Sequence, residues 1–241
     1  MTGNGSHSRL TELLVENQSL RARAAATPQY TARLTALQRW QSDRLAATYA
    51  DFSATPRYRA AVDFFLHDLY GPHDFADRDA DLLRVHKVME RMLPARAREA
   101  LTHAVELEVL SQRLDLAIAD ELESGSITPP LYAEAYRRAG MHAERRRQIE
   151  LIETSGRYLD ELVARPMIRH LIKLVRGPVH AAGFGALQAF LERGFDAFRT
   201  MGGADEFLSA VVRRETAIME RLLAGTPAPF AIDEIEPGAT R

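Results

Sequence analysis

Apolar residues recur at spacings of three and four along nearly the whole chain, and no stretch alternates apolar and polar residues over a strand length. That regularity points to an all-α fold. The helix breakers divide it at intervals. Thr27-Pro28, Thr55-Pro56 and Thr128-Pro129 each read as an N-cap followed by proline in the first helical turn. Gly71-Pro72 and Gly177-Pro178 end one helix and release the next, and Pro94, Pro166 and Gly202-Gly203 supply further breaks. The pattern predicts helices over 8–26, 28–52, 56–70, 78–92, 94–124, 129–139, 141–164, 166–176, 178–200 and 204–224.

The segment 94–124 has the character of a central helix. Leu101, Val105, Leu107, Val109, Leu110, Leu114, Leu116, Ile118 and Leu122 cover more than one of its faces, so other helices must surround it. A multi-helix bundle around this element is the expected architecture. Residues 28–225 form one helical domain in this reading, 1–27 a helical arm, and 226–241, with Pro227, Pro229 and Pro237, a disordered tail. In the arm, Leu10, Leu13, Asn17, Leu20 and Ala24 occupy heptad a and d positions, with Asn17 at an a position. A coiled-coil dimer and an arm folded back onto its own domain both fit that pattern.

Composition narrows the chemistry. The chain lacks cysteine, which removes disulfides, thiolate nucleophiles, Cys-ligated zinc and iron–sulfur clusters. Its formal charge of -2 gives no basic field for nucleic acid. The basic residues are nearly all arginine, with Lys87 and Lys173 the exceptions. Met1 to Arg9 carries no apolar leader, and the longest uncharged run, Gly177 to Leu191, is too short to span a bilayer. A cytoplasmic protein without a membrane segment is expected.

Several polar groupings are candidates for a site. Asp63 and His67 lie one turn apart near the end of the helix from Pro56; such a pair can orient an imidazole for acid–base or metal chemistry, or simply decorate a helix end. Glu99, His103 and Glu106 share a stripe on the central helix, a carboxylate–imidazole–carboxylate array of the kind a helical metal site needs. The Glu-x-x-His pair of di-iron bundles and His-Glu-x-x-His are both absent. Asp74, Asp77, Asp79 and Asp81 read as helix-capping acids. The His-Asp dipeptides do not extend to an HD phosphohydrolase, since the only histidine upstream of His67 is His7. Arg169, Lys173, Arg176 and His180 form a cationic stripe. With Arg145, Arg146 and Arg147 they suit an anion or an acidic protein partner, or ion pairing with Glu150, Glu153, Asp160 and Glu161. No Gly-rich phosphate loop or nucleophile elbow is present.

The run Phe64-Phe65-Leu66-His67-Asp68-Leu69-Tyr70-Gly71-Pro72 resembles the hallmark of a family of uncharacterised bacterial helical proteins. The run Phe190-Leu191-Glu192-Arg193-Gly194-Phe195-Asp196-Ala197-Phe198-Arg199, followed by Met201-Gly202-Gly203, is similar to its C-terminal signature. The resemblance spans residues 57–224 and implies one all-helical unit with no assigned activity.

Two functions follow as expectations. The first is a non-catalytic interaction or regulatory module, homo-oligomeric, resting on the arm and the arginine-rich surface. The second is a metal- or cofactor-binding bundle, an oxidoreductase for example, using Asp63, His67, Glu99, His103 and Glu106, with the small-residue helix at 181–189 flanking the ligand.

Overall fold

The computed structural model describes residues 8–69, 95–122, 126–165 and 185–231. Among these residues there are nine α-helices and no strand: α1 Arg9–Ala24, α2 Pro28–Thr48, α3 Ala50–Ala54, α4 Pro56–Phe64, α5 Ala95–Glu121, α6 Pro129–Ala139, α7 His142–Val163, α8 Gly185–Met201 and α9 Asp205–Ala224. A π-helical turn, Phe65–Leu69, continues α4. The expected helices over 78–92 and 166–176, the acidic cluster Asp74–Asp81, the stripe Arg169, Lys173, Arg176 and His180, and most of the small-residue stretch before Gly185 lie outside the described residues.

Local chemistry explains most of the helix boundaries. Ser8 caps α1 by accepting from the Thr11 N–H at 3.2 Å, and Thr27 caps α2 by accepting from the Tyr30 N–H at the same distance. Thr55 and Thr128 occupy N-cap positions before proline but make no side-chain cap bond. The hydroxyl of Thr55 instead donates to the Asp51 carbonyl at 3.1 Å. Gly225 closes α9 in the left-handed region, and the Thr226 N–H bonds back to the Arg221 carbonyl at 2.9 Å.

The continuous helix expected over 28–52 is instead broken at Tyr49 (φ -113°, ψ 23°). The break turns the Tyr49 ring into the core, and the carbonyl of Thr48 that it frees accepts from Arg214 at 2.7 Å. Neither partner is close in sequence, so periodicity within 28–52 carries no sign of it.

Helix α5 is the central element, packed by α1, α2, α6 and α7. One core lies between α2, α5, α6 and α9, built on Leu37, Leu116, Ile118, Ala119, Tyr132, Tyr136, Ile218 and Leu222. A second fills the space between the end of α2, α3, α4, α8 and α9, around Tyr49, Phe52, Tyr58, Val62, Phe198, Met201, Phe207 and Val211. Helices α2 and α9 belong to both cores and join them.

The arm folds onto the domain. Leu10, Leu13 and Leu14 bury against Val105 and Val109 of α5. Asn17, 4% exposed, donates to Glu108 at 3.4 Å and accepts from Gln112 at 2.6 Å. The heptad seam is therefore occupied by the chain's own central helix. Packing also runs beyond residue 226: Phe230 meets Trp40 at a ring separation of 5.7 Å and Tyr132 at 6.0 Å.

Candidate functional site

The two motif stretches meet face to face. Helix α4 and its π-turn present Phe64 and Asp68 to α8, which answers with Phe190, Arg193 and Gly194. The rings of Phe64 and Phe190 stand 5.4 Å apart. Asp68 accepts from Arg193 through Nε at 2.7 Å and Nη2 at 2.6 Å. A π-turn widens the helix by one residue per turn and so re-aims the side chains that follow it. Asp68 follows Phe64 by four residues and shares its face toward α8.

At the other end of α8, Arg57 clamps the Met201-Gly202-Gly203 turn. Its Nε donates to the Met201 carbonyl at 2.7 Å and its Nη2 to the Gly203 carbonyl at 3.2 Å. Gly202 (φ 64°) and Gly203 (φ 120°) both occupy the region that side chains disfavour, which accounts for the paired glycines. Tyr58 donates to Glu206 at the start of α9, and the Arg57 guanidinium lies over the Tyr58 ring. Arg57 and Tyr58 thus tie the end of α8 and the start of α9 to α4.

Buried charges are compensated inside the fold. Arg214, 1% exposed, forms a bidentate pair with Asp51 at 2.9 and 2.7 Å and lies against the rings of Tyr49 and Phe52. Burial works against the Asp51 carboxylate, yet the hydrogen bonds and charge of Arg214 hold its pKa below the ordinary value. Arg44 pairs with Glu215 at 2.7 and 2.9 Å, and Tyr49 donates to the same carboxylate at 3.0 Å. Burial disfavours the Arg44 charge, but Glu215 more than offsets it and raises the guanidinium further above its usual range. Burial also pushes Tyr132 and Tyr136 up, so both phenols stay neutral well past neutrality. Arg145 lies over the Tyr136 ring, 3.5 Å from its centroid, and donates to the Gly140 carbonyl at 2.9 Å.

An open cleft of about 250 Å³ runs between α1, α5 and the start of α7. Its apolar floor is Leu13, Val109 and Leu110; Arg9, Arg113 and Arg147 stand at the rim with Glu106 and Glu144.

The candidate metal residues differ in exposure. Asp63 and Glu99 are exposed, and His103 and Glu106 are half-buried. Glu106 pairs with Arg147 at 3.1 and 3.3 Å. His67 is exposed, and its Nδ1 lies 2.9 Å from the main-chain carbonyl of Asp63; a carbonyl only accepts, so that nitrogen carries the proton. Among the described residues, no three His, Asp or Glu side chains converge to hold a metal ion, so no three of these five come together. Arg147 pairs with Glu150 at 3.5 Å and holds Glu106 as well, which agrees with the ion-pairing alternative for the basic group. Among the described residues no helix is long and apolar enough to cross a membrane.

Sequence reasoning did not pair Asp68 with Arg193, Arg214 with Asp51 or Arg44 with Glu215. Each partnership crosses more than a hundred residues, and no local spacing encodes it.

The fold and this junction define an all-helical bundle whose two motif stretches serve as its internal clasp. The chain belongs to a family described as a domain of unknown function (DUF8198), whose model matches residues 20–229. No curated protein and no solved structure matches the chain.

Proposed function

We propose that this chain is a non-catalytic helical interaction module that self-associates and engages acidic partner segments. One observation carries the reading. Polar groups at the α4–α8 junction, and the charges buried between α2, α3 and α9, are engaged within the fold: Asp68 with Arg193, Arg57 with the Met201 and Gly203 carbonyls, Arg214 with Asp51, Arg44 with Glu215. Groups held this way fix a shape rather than turn over a substrate. The cleft supports a partner on different grounds: Leu13, Val109 and Leu110 can take an apolar side chain, and the rim arginines Arg9, Arg113 and Arg147 are held by Glu12, Glu16 and Glu106 in partly exposed pairs that a partner's carboxylate can replace.

The test is the molar mass of the full chain by light scattering over a wide concentration range, repeated with Glu99→Ala, His103→Ala and His67→Ala. The reading expects a mass above 27.0 kDa that rises with concentration and is the same in all three variants. A monomer at every concentration contradicts it. So does loss of a tightly bound metal from these variants when the parent protein carries one.

A further inference from the structure

We infer that the cleft between α1, α5 and α7 reads a partner helix by the order of three side chains along it: a carboxylate, a large apolar residue one turn on, and a cation two turns on. The inference rests on the cleft's role as a partner site, proposed above, and adds the basic residue that the acidic segment must also carry. Three observations lead to it.

First, the register of the three helices sorts the rim into two ends. Helix α7 runs antiparallel to α5, since Glu161 meets Arg96 and Arg147 meets Glu106. Helix α1 runs parallel to α5, since Glu16 meets Arg113 and Arg23 meets Asp120. Glu106 and Arg113 are two turns apart, about 10 Å along the α5 axis. Arg9, two turns before Glu16 on α1, therefore stands at the Glu106 end with Arg147. Glu144, one turn before Arg147 on α7, is displaced toward the Arg113 end.

Second, each end keeps one loosely held charge, and the two are opposite in sign. Arg147 holds Glu106 at 3.1 and 3.3 Å, and Arg113 holds Glu16, so these four groups offset one another. Arg9 is the loosest of the rim arginines: Glu12 meets it at 3.5 Å with both side chains more than half exposed, a geometry that contributes little. Glu144 is half-buried and, among the described residues, has neither an ion pair nor a side-chain hydrogen bond. Its place in the first turn of α7 suits a negative charge and leaves its oxygens open to a donor. Arg9 thus offers a place for a partner's carboxylate and Glu144 a place for its cation.

Third, the apolar floor lies between those two places. Leu13, Val109 and Leu110 fall midway between the levels of Glu106 and Arg113, and a cleft of about 250 Å³ is sized for one large side chain. A helix laid along α5 has the same rise per residue as α5 itself. Its side chains at i, i+4 and i+7 share one face and span the same two turns, so an acid, a leucine and a lysine at those positions meet Arg9, the floor and Glu144 in order.

The probes are alanine-based helical peptides of about fifteen residues, titrated against the full chain by fluorescence anisotropy. The first carries Glu, Leu and Lys at i, i+4 and i+7. Two companions carry Glu-Leu-Glu and Lys-Leu-Lys at the same positions, and a third replaces the leucine of the first by alanine. The Glu-Leu-Lys peptide should bind about threefold more tightly than either charge companion, and the alanine peptide about fivefold more weakly than its parent. Glu144→Gln should remove the preference for Glu-Leu-Lys over Glu-Leu-Glu, and Glu144→Lys should reverse it. A reversal of preference is an outcome that damage to the fold does not produce. Equal binding of Glu-Leu-Glu and Glu-Leu-Lys to the parent chain overturns the inference and leaves the acidic-partner reading in place. Tightest binding of Lys-Leu-Lys, or binding of no peptide, overturns both, while self-association is judged separately by the molar mass of the chain.

Discussion

A Cβ on Gly194 would stand 2.7 Å from the tip of the Phe64 ring, so this position in the middle of α8 is glycine because an aromatic ring from α4 already holds the space. Two effects compete in Gly194→Ala. Replacing a mid-helix glycine gains about 1 kcal/mol of helix propensity. Pushing a buried ring that is also packed on Phe190 costs about 1–3 kcal/mol, and the ring has little freedom to yield. We expect net destabilisation, read from chemical denaturation. Adding Phe64→Leu should recover part of the loss, with a coupling energy of about 1 kcal/mol in the double-mutant cycle. Simple additivity would break the proposed contact.

The Arg214–Asp51 pair makes a second prediction. Arg214→Met leaves Asp51 without its bidentate partner and frees the Thr48 carbonyl, and the expected loss is about 3 kcal/mol. Asp51→Asn should lose at least as much, since it leaves the buried guanidinium without its counter-charge, whereas the carboxylate left by Arg214→Met is partly exposed to water. A much smaller loss in Asp51→Asn would mean that the pair does not act as drawn.

Acid denaturation follows from the same pair with a definite sign. The folded pKa of Asp51 lies below its unfolded value, so the native state binds fewer protons. Its contribution is complete above the unfolded value near 3.8 and is lost as pH falls through the folded pKa. Stability measured between pH 5 and about 2 should therefore fall less steeply in Asp51→Asn than in the parent. An unchanged slope would contradict the assignment.

Five of the seven tyrosines, Tyr30, Tyr49, Tyr58, Tyr132 and Tyr136, have raised pKa values, each primarily through burial. Tyr30 reaches about 12, aided by its hydrogen bond to Asp120. These phenols ionise in the unfolded chain first, so their contribution is full below pH 10 and declines as pH rises toward the folded values. Absorbance titration should show most tyrosinate appearing only on unfolding. Smooth ionisation of all seven near pH 10 in folded protein would contradict the packing around α2, α6 and α9.

Trp40, the single tryptophan, stacks on Tyr132 at 4.2 Å and meets Phe230 edge-on. Phe230→Ala should red-shift its emission and cost about 1–2 kcal/mol, given that Phe230 is only partly buried. An unchanged spectrum would mean that the segment after α9 does not pack there.

What could be read from the sequence divides along a physical line. The all-α fold, the central helix and the breaks at Pro28, Pro56 and Pro129 follow from periodicity and from local backbone chemistry, which adjacent residues carry in full. The heptad in the arm was also legible, but apolar a and d positions state only that a face is buried. They do not say whether α5 or another copy of α1 covers it, and α5 does. The π-turn at Phe65–Leu69, the break at Tyr49 and the Asp68–Arg193 pair were not legible, because each is set by a partner from a distant helix. The stripe at Glu99, His103 and Glu106 shows the same limit: a shared helix face does not say what lies opposite, and opposite Glu106 lies Arg147.

The most direct test of the account is the assembly state of the unmodified full chain. Native mass measurement of a one-to-one mixture of heavy-isotope-labelled and unlabelled chains should show mixed dimers that accumulate with time and concentration. A single monomeric species at every concentration would contradict the central claim that this helical module works by association.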